Sequence, residues 1–229
     1  MSEIIYYPFE LHCHTVHSDG AFTPRELVKA AAERGLKGIA LTDHNTATGN
    51  AEALRAGEEF GIAVIPGTEW TTFYGHITVL GGRSDIDWRS VTPKNAADKV
   101  ARAVMLGDAA VLAHPYRVGY PVCTGGRSEF PEEIFDVLTG YEVYSGLLAD
   151  PTNRRSYAEY ARLTAAGKKL AALYGRDWHG PSSDVGYGVT LLGISGTLNA
   201  ANALEAIRSG RTAVADRNGN TIIETPWRA

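Results

Sequence analysis

Six of the seven histidines in this chain, His12, His14, His44, His76, His114 and His179, stand in short motifs that close apolar, strand-like runs. The densest is Leu11-His12-Cys13-His14-Thr15-Val16-His17-Ser18-Asp19-Gly20. Thr42-Asp43-His44, Gly67-Thr68-Glu69, Gly75-His76, Ala113-His114-Pro115 and Asp177-Trp178-His179 follow in order. Imidazole and carboxylate without thiolate suit zinc, manganese or iron. Repeated where strands give way to loops, they point to one polynuclear metal centre, and such a centre points to a hydrolase. His12 and His14 lie two apart, so on a strand both face one side while Cys13 faces the other. A lone His-x-His pair fits two packed histidines as well, and Asp19 in a Ser-Asp-Gly turn fits plain turn chemistry. The combination carries the inference.

The elements that must hold these residues alternate between strand and helix. Ile4 to Leu11 reads as a strand interrupted by Pro8. Thr23-Pro24-Arg25-Glu26 has the form of a helix start, with a capping Thr23, Pro24 at the first helical position and Glu26 returning a bond to the cap backbone. Gly35 is the expected stop. Strands are expected at 38–41, 62–65, 76–80, 109–113, 141–144, 169–174 and 189–194. Helices are expected near 51–60, 95–106, 131–138, 156–166 and 200–207. Residues 74–75 pair one strand locally with its predecessor, and Arg217-Asn218-Gly219-Asn220 carries a hairpin-turn signal. Successive βα units favour an α/β protein with parallel strands. Donors that follow at least five different strands favour a barrel, which gathers all its strand ends around one mouth.

The chain has 229 residues, 44% of them hydrophobic and 21% charged, and no repeat, linker or low-complexity tract. One domain over residues 1–229 is expected. The formal charge of −4 argues against a broad nucleic-acid-binding face. Cys13 and Cys123 form no CxxC pair and no disulfide framework. No basic stretch followed by an apolar one opens the sequence, so neither a signal peptide nor a membrane span is expected, and a cytoplasmic protein is the default reading.

Taken together, His12-x-His14-Thr15-x-x-Ser18-Asp19-Gly20, Thr42-Asp43-His44, Gly67-x-Glu69, Gly75-His76, Ala113-His114-Pro115 and Asp177-x-His179 resemble the ordered motifs of the PHP-domain superfamily, named for polymerase and histidinol phosphatase. Ser209-Gly210-Arg211-Thr212 is similar to the end of the family's last helix. The resemblance implies a distorted (β/α) barrel of about seven strands, smaller than the common eight-stranded form. It also implies two or three divalent ions, manganese, iron or zinc. The ligands carried over are His12, His14, Asp19, His44, Glu69, His76, His114, Asp177 and His179. Glu69 would bridge two ions, with His12, His14 and Asp177 completing the first shell. His76 and His114 would serve the second ion, and Asp19, His44 and His179 a third.

Arg117 resembles family arginines that face a substrate phosphate, a task that suits the guanidinium fork, and it also fits a surface salt bridge. Arg127 and Arg176 are further substrate-binding candidates. Asp43 reads either as the orienting partner of an imidazole or as a turn residue. Cys13 reads as a small buried hydrophobe, His17 as a loop residue, and Trp70, Tyr74, Tyr116 and Trp178 as either pocket wall or core. Glu142 ends a strand and could contact the site. Residues 121–128 form a candidate lid.

The expected function is hydrolysis of a small phosphomonoester of the nucleotide, histidinol phosphate or phosphotyrosine type. A hydroxide bridging two ions would attack, with Glu69, Asp177, His179 and Arg117 as the catalytic residues. The alternatives are a carbamate or carboxylester hydrolase using the same ions, and a non-catalytic metal-binding module. Residues 77–113 leave room for only one helix and a strand, without the helical insertion of the nucleotide-specific members. No basic aromatic stripe supports a nuclease.

Overall fold

A capping box forms where the Thr23–Glu26 spacing predicts one: the hydroxyl of Thr23 accepts from the backbone of Glu26, and the carboxylate of Glu26 accepts from the backbone of Thr23. The computed structural model describes residues 3–82, 86–117 and 127–227. β1 (Ile4–Cys13) leads through a loop to α1 (Pro24–Glu33), which ends beside Gly35 at φ +79°. β2 (Gly38–Leu41), α2 (Asn50–Phe60) and β3 (Ala63–Thr72) follow, and β1, β2 and β3 pair in parallel. β3 runs well beyond the expected Ile65, because its outer half pairs with β4 (Gly75–Leu80) as far as Thr72 opposite Gly75.

β4 runs opposite to β1–β3 before it and to β5 after it. It pairs antiparallel with β3 and with β5 (Ala109–Ala113), and its start, His76, lies opposite Thr71 on one side and Ala113 on the other. His76 is therefore delivered from a strand beginning to the same end as the donors that close parallel strands. α3 (Ala96–Met105) precedes β5, and β6 (Gly140–Ser145), α4 (Asn153–Ala165) and β7 (Ala171–Gly175) continue the alternation. β8 (Gly188–Ser195), α5 (Ala200–Arg208), β9 (Thr212–Asp216) and β10 (Thr221–Glu224) complete the chain. Where a helix is expected over 131–138, only a short 3₁₀ segment, Glu132–Asp136, forms.

All ten strands belong to one sheet in the order β10-β9-β8-β1-β2-β3-β4-β5-β6-β7. Three more strands are present than the expected seven. β8 runs antiparallel along the first half of β1, and β9 and β10 extend it through the hairpin that Arg217–Asn220 signals. The sheet curls into a nearly closed barrel whose seam is sealed largely by threonine hydroxyls. Thr190 Oγ1 accepts from Tyr174 N (2.9 Å) and donates to Tyr174 O (3.0 Å). Thr225 Oγ1 accepts from Ala172 N (2.8 Å), and Thr212 Oγ1 donates to Ala172 O (3.0 Å). At the mouth, Trp178 N donates to His12 O and His14 N to Trp178 O, a short parallel bridge that joins β1 to the segment after β7.

Phe9, Leu11, Ile65, Val111, Leu173 and Leu192 fill the barrel, and Leu204 and Ile207 of α5 join that cluster. Two further clusters lie between sheet and helices, one centred on Leu27, Ile39 and Trp178, the other on Ile77, Tyr141 and Leu163. Trp70, Tyr74 and Trp178 belong to these layers rather than to a pocket rim alone. Among the described residues, no helix is long and apolar enough to cross a membrane. Cys123 and residues 121–126 of the expected lid lie outside the described residues.

Candidate metal centre

Glu69, fully buried on β3, touches five imidazoles. Its Oε1 lies 2.9 Å from His76 Nδ1 and 3.1 Å from His114 Nε2. Its Oε2 lies 2.9 Å from His44 Nδ1, 3.1 Å from His12 Nε2 and 3.4 Å from His14 Nε2. Asp177 stands across from it, with Oδ1 3.0 Å from His14 Nε2 and 3.5 Å from His12 Nε2. Asp19, on the loop after β1, adds Oδ1 at 3.2 Å from His179 Nε2 and Oδ2 at 3.6 Å from His44 Nε2. The nine donors expected from the motifs thus converge at one mouth.

Their spacing suits ions. Donors bound at about 2.0–2.1 Å to one ion stand roughly 2.9–3.4 Å apart in octahedral or tetrahedral shells. Three groups have donor atoms mutually within 4.8 Å: His12, Glu69, His114 and Asp177; His14, Asp19, His44 and His179; and His44, Glu69 and His76. These groups place His114 with His12 and His14 with Asp19, while His14 Nε2 also lies 3.0 Å from Asp177 Oδ1, beside the donors that the resemblance gives it. Buried atoms without an aligned hydrogen bond include His12 Nε2, both nitrogens of His14, Glu69 Oε2, His76 Nε2, His114 Nδ1 and Asp177 Oδ1. Buried polar atoms are rarely left so, and these fit a donor set for cations.

The close packing of carboxylates and imidazoles shifts their pKa values. Burial by itself would raise the carboxyl of Glu69, yet the charge of His12 and hydrogen bonds from His114, His12 and His44 hold it well below the usual range. Asp177 is held low in the same way, chiefly by His12 against burial. Burial lowers His14, favouring the neutral ring that a metal requires. His12 stands above its ordinary value because Glu142, Glu69 and Asp177 outweigh its burial.

Strained backbone gathers here too. Asn45 (φ +57°), His114 (φ +25°) and Asp177 (φ +57°) are the non-glycine residues with positive φ among the described residues. Each such residue costs on the order of 1–3 kcal/mol, which the surrounding structure must offset. Asn45 is held by a bond from Thr71 N to its Oδ1 and one from its Nδ2 to Thr71 O.

A second layer orients the donors. Asp43 accepts from Thr15 N (2.6 Å), Thr15 Oγ1 (2.7 Å) and Ser18 Oγ (2.8 Å), so it organises the loop carrying Asp19 rather than an imidazole. Glu142 Oε1 lies 2.7 Å from His12 Nδ1, and its Oε2 accepts from His114 N at 2.7 Å. Glu10, absent from the sequence-based candidates, accepts from His12 N and Arg176 N, and burial pushes its carboxyl up to about 8. No local alternation marked it: β1 bulges between Glu10 and Cys13, which pair with Ile39 and Leu41 of the outer core, so strand parity groups Glu10 with Cys13 rather than with His12. Cys13 is buried in the outer core, with its sulfur directed at Glu10 O. His17 packs its ring nitrogen against Thr48 on the exposed loop.

The three arginines have separate fates. Arg117 donates from Nη1 to Asp177 Oδ2 at 2.7 Å and borders a cleft of about 530 Å³ that Arg176, Asp177, His179 and Tyr187 also line. Arg176 is almost fully buried, stacks on Trp178 and Tyr187, and donates to Asp184, Ser182 and Ser183. Its guanidinium thus braces the loop after His179. Arg127 borders a different hollow of about 310 Å³, with Tyr116, Phe130 and Tyr141.

Residues 10–85 match the PHP domain family. An uncharacterized protein of Methanocaldococcus jannaschii is 31% identical over 153 residues, 62% of this chain and 83% of its own. A 5'-3' exoribonuclease of Haemophilus influenzae is 37% identical over 105 residues, and a 3',5'-nucleoside bisphosphate phosphatase of Chromobacterium violaceum is 43% identical over 70. These matches cover 44% and 31% of this chain but only 38% and 25% of the two enzymes. Among solved structures, a two-domain Bacteroides vulgatus protein containing a predicted PHP-like metal-dependent phosphoesterase superposes with a TM-score of 0.70 at 21% identity, over 92% of this chain and 65% of that one. That likeness is one of fold. Joined to the relatives' identity and to six histidine motifs whose donors meet at one barrel mouth, it leaves a single conclusion: the chain belongs to the PHP-domain family.

Proposed function

We propose that the protein is a metal-dependent phosphoesterase that hydrolyses a small phosphomonoester of the nucleotide, histidinol phosphate or phosphotyrosine type. The observation that carries this reading is the set of buried donor atoms on His12, His14, Glu69, His76, His114 and Asp177 that converge without aligned hydrogen bonds. In this reading those residues, with Asp19, His44 and His179, hold two or three divalent ions of manganese, iron or zinc. Ions there would lower the pKa of water and neutralise charge developing on the substrate's oxygens. The chain's own part is to fix the donors and the substrate. Glu69 spans two donor groups. Asp177 turns one oxygen to the imidazoles and the other to Arg117. Arg117, positioned by that bond, offers its remaining N–H groups to phosphate oxygens at the cleft. His179 Nδ1 lies 2.9 Å from Asp177 O, which can only accept, so the neutral ring keeps a lone pair on Nε2 and acts as a donor to metal. Proton supply to the leaving group then falls to solvent.

The relatives named as a nucleoside bisphosphate phosphatase and an exoribonuclease both cleave phosphate esters, which supports the bond class. The same donors would serve a carbamate or carboxylester hydrolase, and the fixed charge of Arg117 favours phosphate over these. The test is hydrolysis by metal-analysed protein with manganese or zinc restored, using phosphomonoesters and nucleotides against an aryl carboxylester and an aryl carbamate. Turnover of phosphates, abolished in Glu69→Ala, is expected. Turnover of the carbon esters alone would overturn the substrate class.

A further inference from the structure

We infer that Glu142, on β6, is the positioning residue that makes the His12–His114 side of the centre competent for metal; the inference rests on the metal-centre reading above. A carboxylate can only accept, so the 2.7 Å contact from Glu142 Oε1 places the proton of His12 on Nδ1. When the ring is neutral, as a metal donor must be, the lone pair is then on Nε2, the nitrogen that faces Glu69 Oε2 at 3.1 Å and Asp177 Oδ1 at 3.5 Å. The other oxygen of Glu142 accepts from the backbone of His114, where φ is +25°. One side chain thereby sets the tautomer of a donor from β1 and restrains the unfavourable backbone of a donor from β5. Both donors belong to the group His12, Glu69, His114 and Asp177.

The surroundings are shaped for this task. Glu142 is almost fully buried, and on neighbouring β7 there is no room for any side chain at residue 175. A Cβ added to Gly175 would stand 2.1 Å from Glu142 Oε1 and 2.5 Å from its Cδ. Gly175 is thus the space that Glu142 occupies.

Two acceptor oxygens serving two donors is a requirement that glutamine cannot meet. In Glu142→Gln one end of the side chain becomes an NH₂ group. It either confronts His114 N–H, or confronts His12 and moves the imidazole proton to Nε2, where it blocks the metal. Volume and shape are kept. Loss of such orienting partners typically weakens metal binding about 10–100-fold.

The test titrates manganese and zinc into apo wild type, Glu142→Gln and Gly175→Ala in competition with a chromophoric chelator. Imidazole nitrogen NMR of the zinc-loaded proteins reads the tautomer of His12, and circular dichroism follows the fold. A loss of affinity of at least about tenfold in Glu142→Gln, at unchanged secondary structure, supports the assignment. A parallel loss in Gly175→Ala, which alters no donor, strengthens it. Glu142→Gln within twofold of wild type, with Nδ1 of His12 still protonated, would overturn the role of Glu142 alone. Failure of wild type to bind either ion would overturn the metal-centre reading and this inference with it.

Discussion

Arg117 and Asp177 form the link between the donor cluster and the open cleft: Nη1 of the arginine lies 2.7 Å from Oδ2 of the aspartate, whose Oδ1 is 3.0 Å from His14 Nε2. The bond holds a guanidinium at the edge of the centre through one of its nitrogens. If its fork holds the substrate phosphate, Arg117→Ala should lower kcat/KM by about 10–150-fold, the equivalent of one charge-assisted hydrogen bond of about 1.5–3 kcal/mol. Arg117→Lys keeps the charge and loses the fork, so partial recovery is expected. Steady-state kinetics on the best phosphomonoester decide this, and wild-type kinetics in the alanine variant would remove Arg117 from the substrate site.

Withdrawal of metal should be felt in the fold as well as in turnover. Ions bound only by the native state stabilise it by about 2.7 kcal/mol at a hundred times Kd. For a chain of this size each kcal/mol moves Tm by about 2–4 °C. Chelation is therefore expected to abolish hydrolysis and to lower Tm by about 5–10 °C, with both restored by manganese or zinc. A melting curve indifferent to chelator would speak against a centre that holds ions in the native state.

Acid should loosen the loop after His179 through Asp184. That carboxylate accepts from Arg176 (2.6 Å), Arg34 (3.1 Å) and Arg217 (3.3 Å). Partial burial pushes its pKa up, but the bond from Arg176 and the charges of Arg217 and Arg34 bring it below its ordinary 3.8. A carboxyl depressed in the folded state stabilises the protein above its unfolded pKa, and that contribution disappears as pH falls through the folded value. Asp184→Asn should thus melt lower than wild type at pH 7, with the difference closing below about pH 4. Melts from pH 7 to 2.5 give the comparison; a pH-independent difference would assign the loss to packing.

The barrel seam offers a separate test. In Thr190→Val the shape is preserved, but Tyr174 loses partners for both its N–H and its C=O. Each orphaned buried group costs about 1–3 kcal/mol, so a loss of about 2–5 kcal/mol is expected in urea unfolding of the apo protein. A change under 1 kcal/mol would mean that water replaces the hydroxyl at the seam.

Much was legible in the sequence because it depends on near neighbours. The Thr23–Glu26 box, the stop at Gly35 and strands such as 38–41 and 109–113 follow from caps, turns and periodicity within a few residues. The nine candidate donors came from the resemblance to the family's ordered motifs, which imidazoles and carboxylates repeated at strand ends support. Relations across the barrel were not legible. His12 and Glu142 are separated by 130 positions, and nothing local to either shows that they meet at 2.7 Å. Arg176 borders Asp177 in sequence, yet its guanidinium turns to Asp184 and stacks on Trp178 and Tyr187. β9 and β10 show only their turn, because a short edge strand has little periodicity of its own. The residue types and their order thus settled which chemistry the chain can hold. Closure of the barrel decided which donors come together, which carboxylate meets which imidazole, and how Arg117 and Arg176 are held beside the cleft, because those pairings depend on the register and curl of strands far apart in the chain.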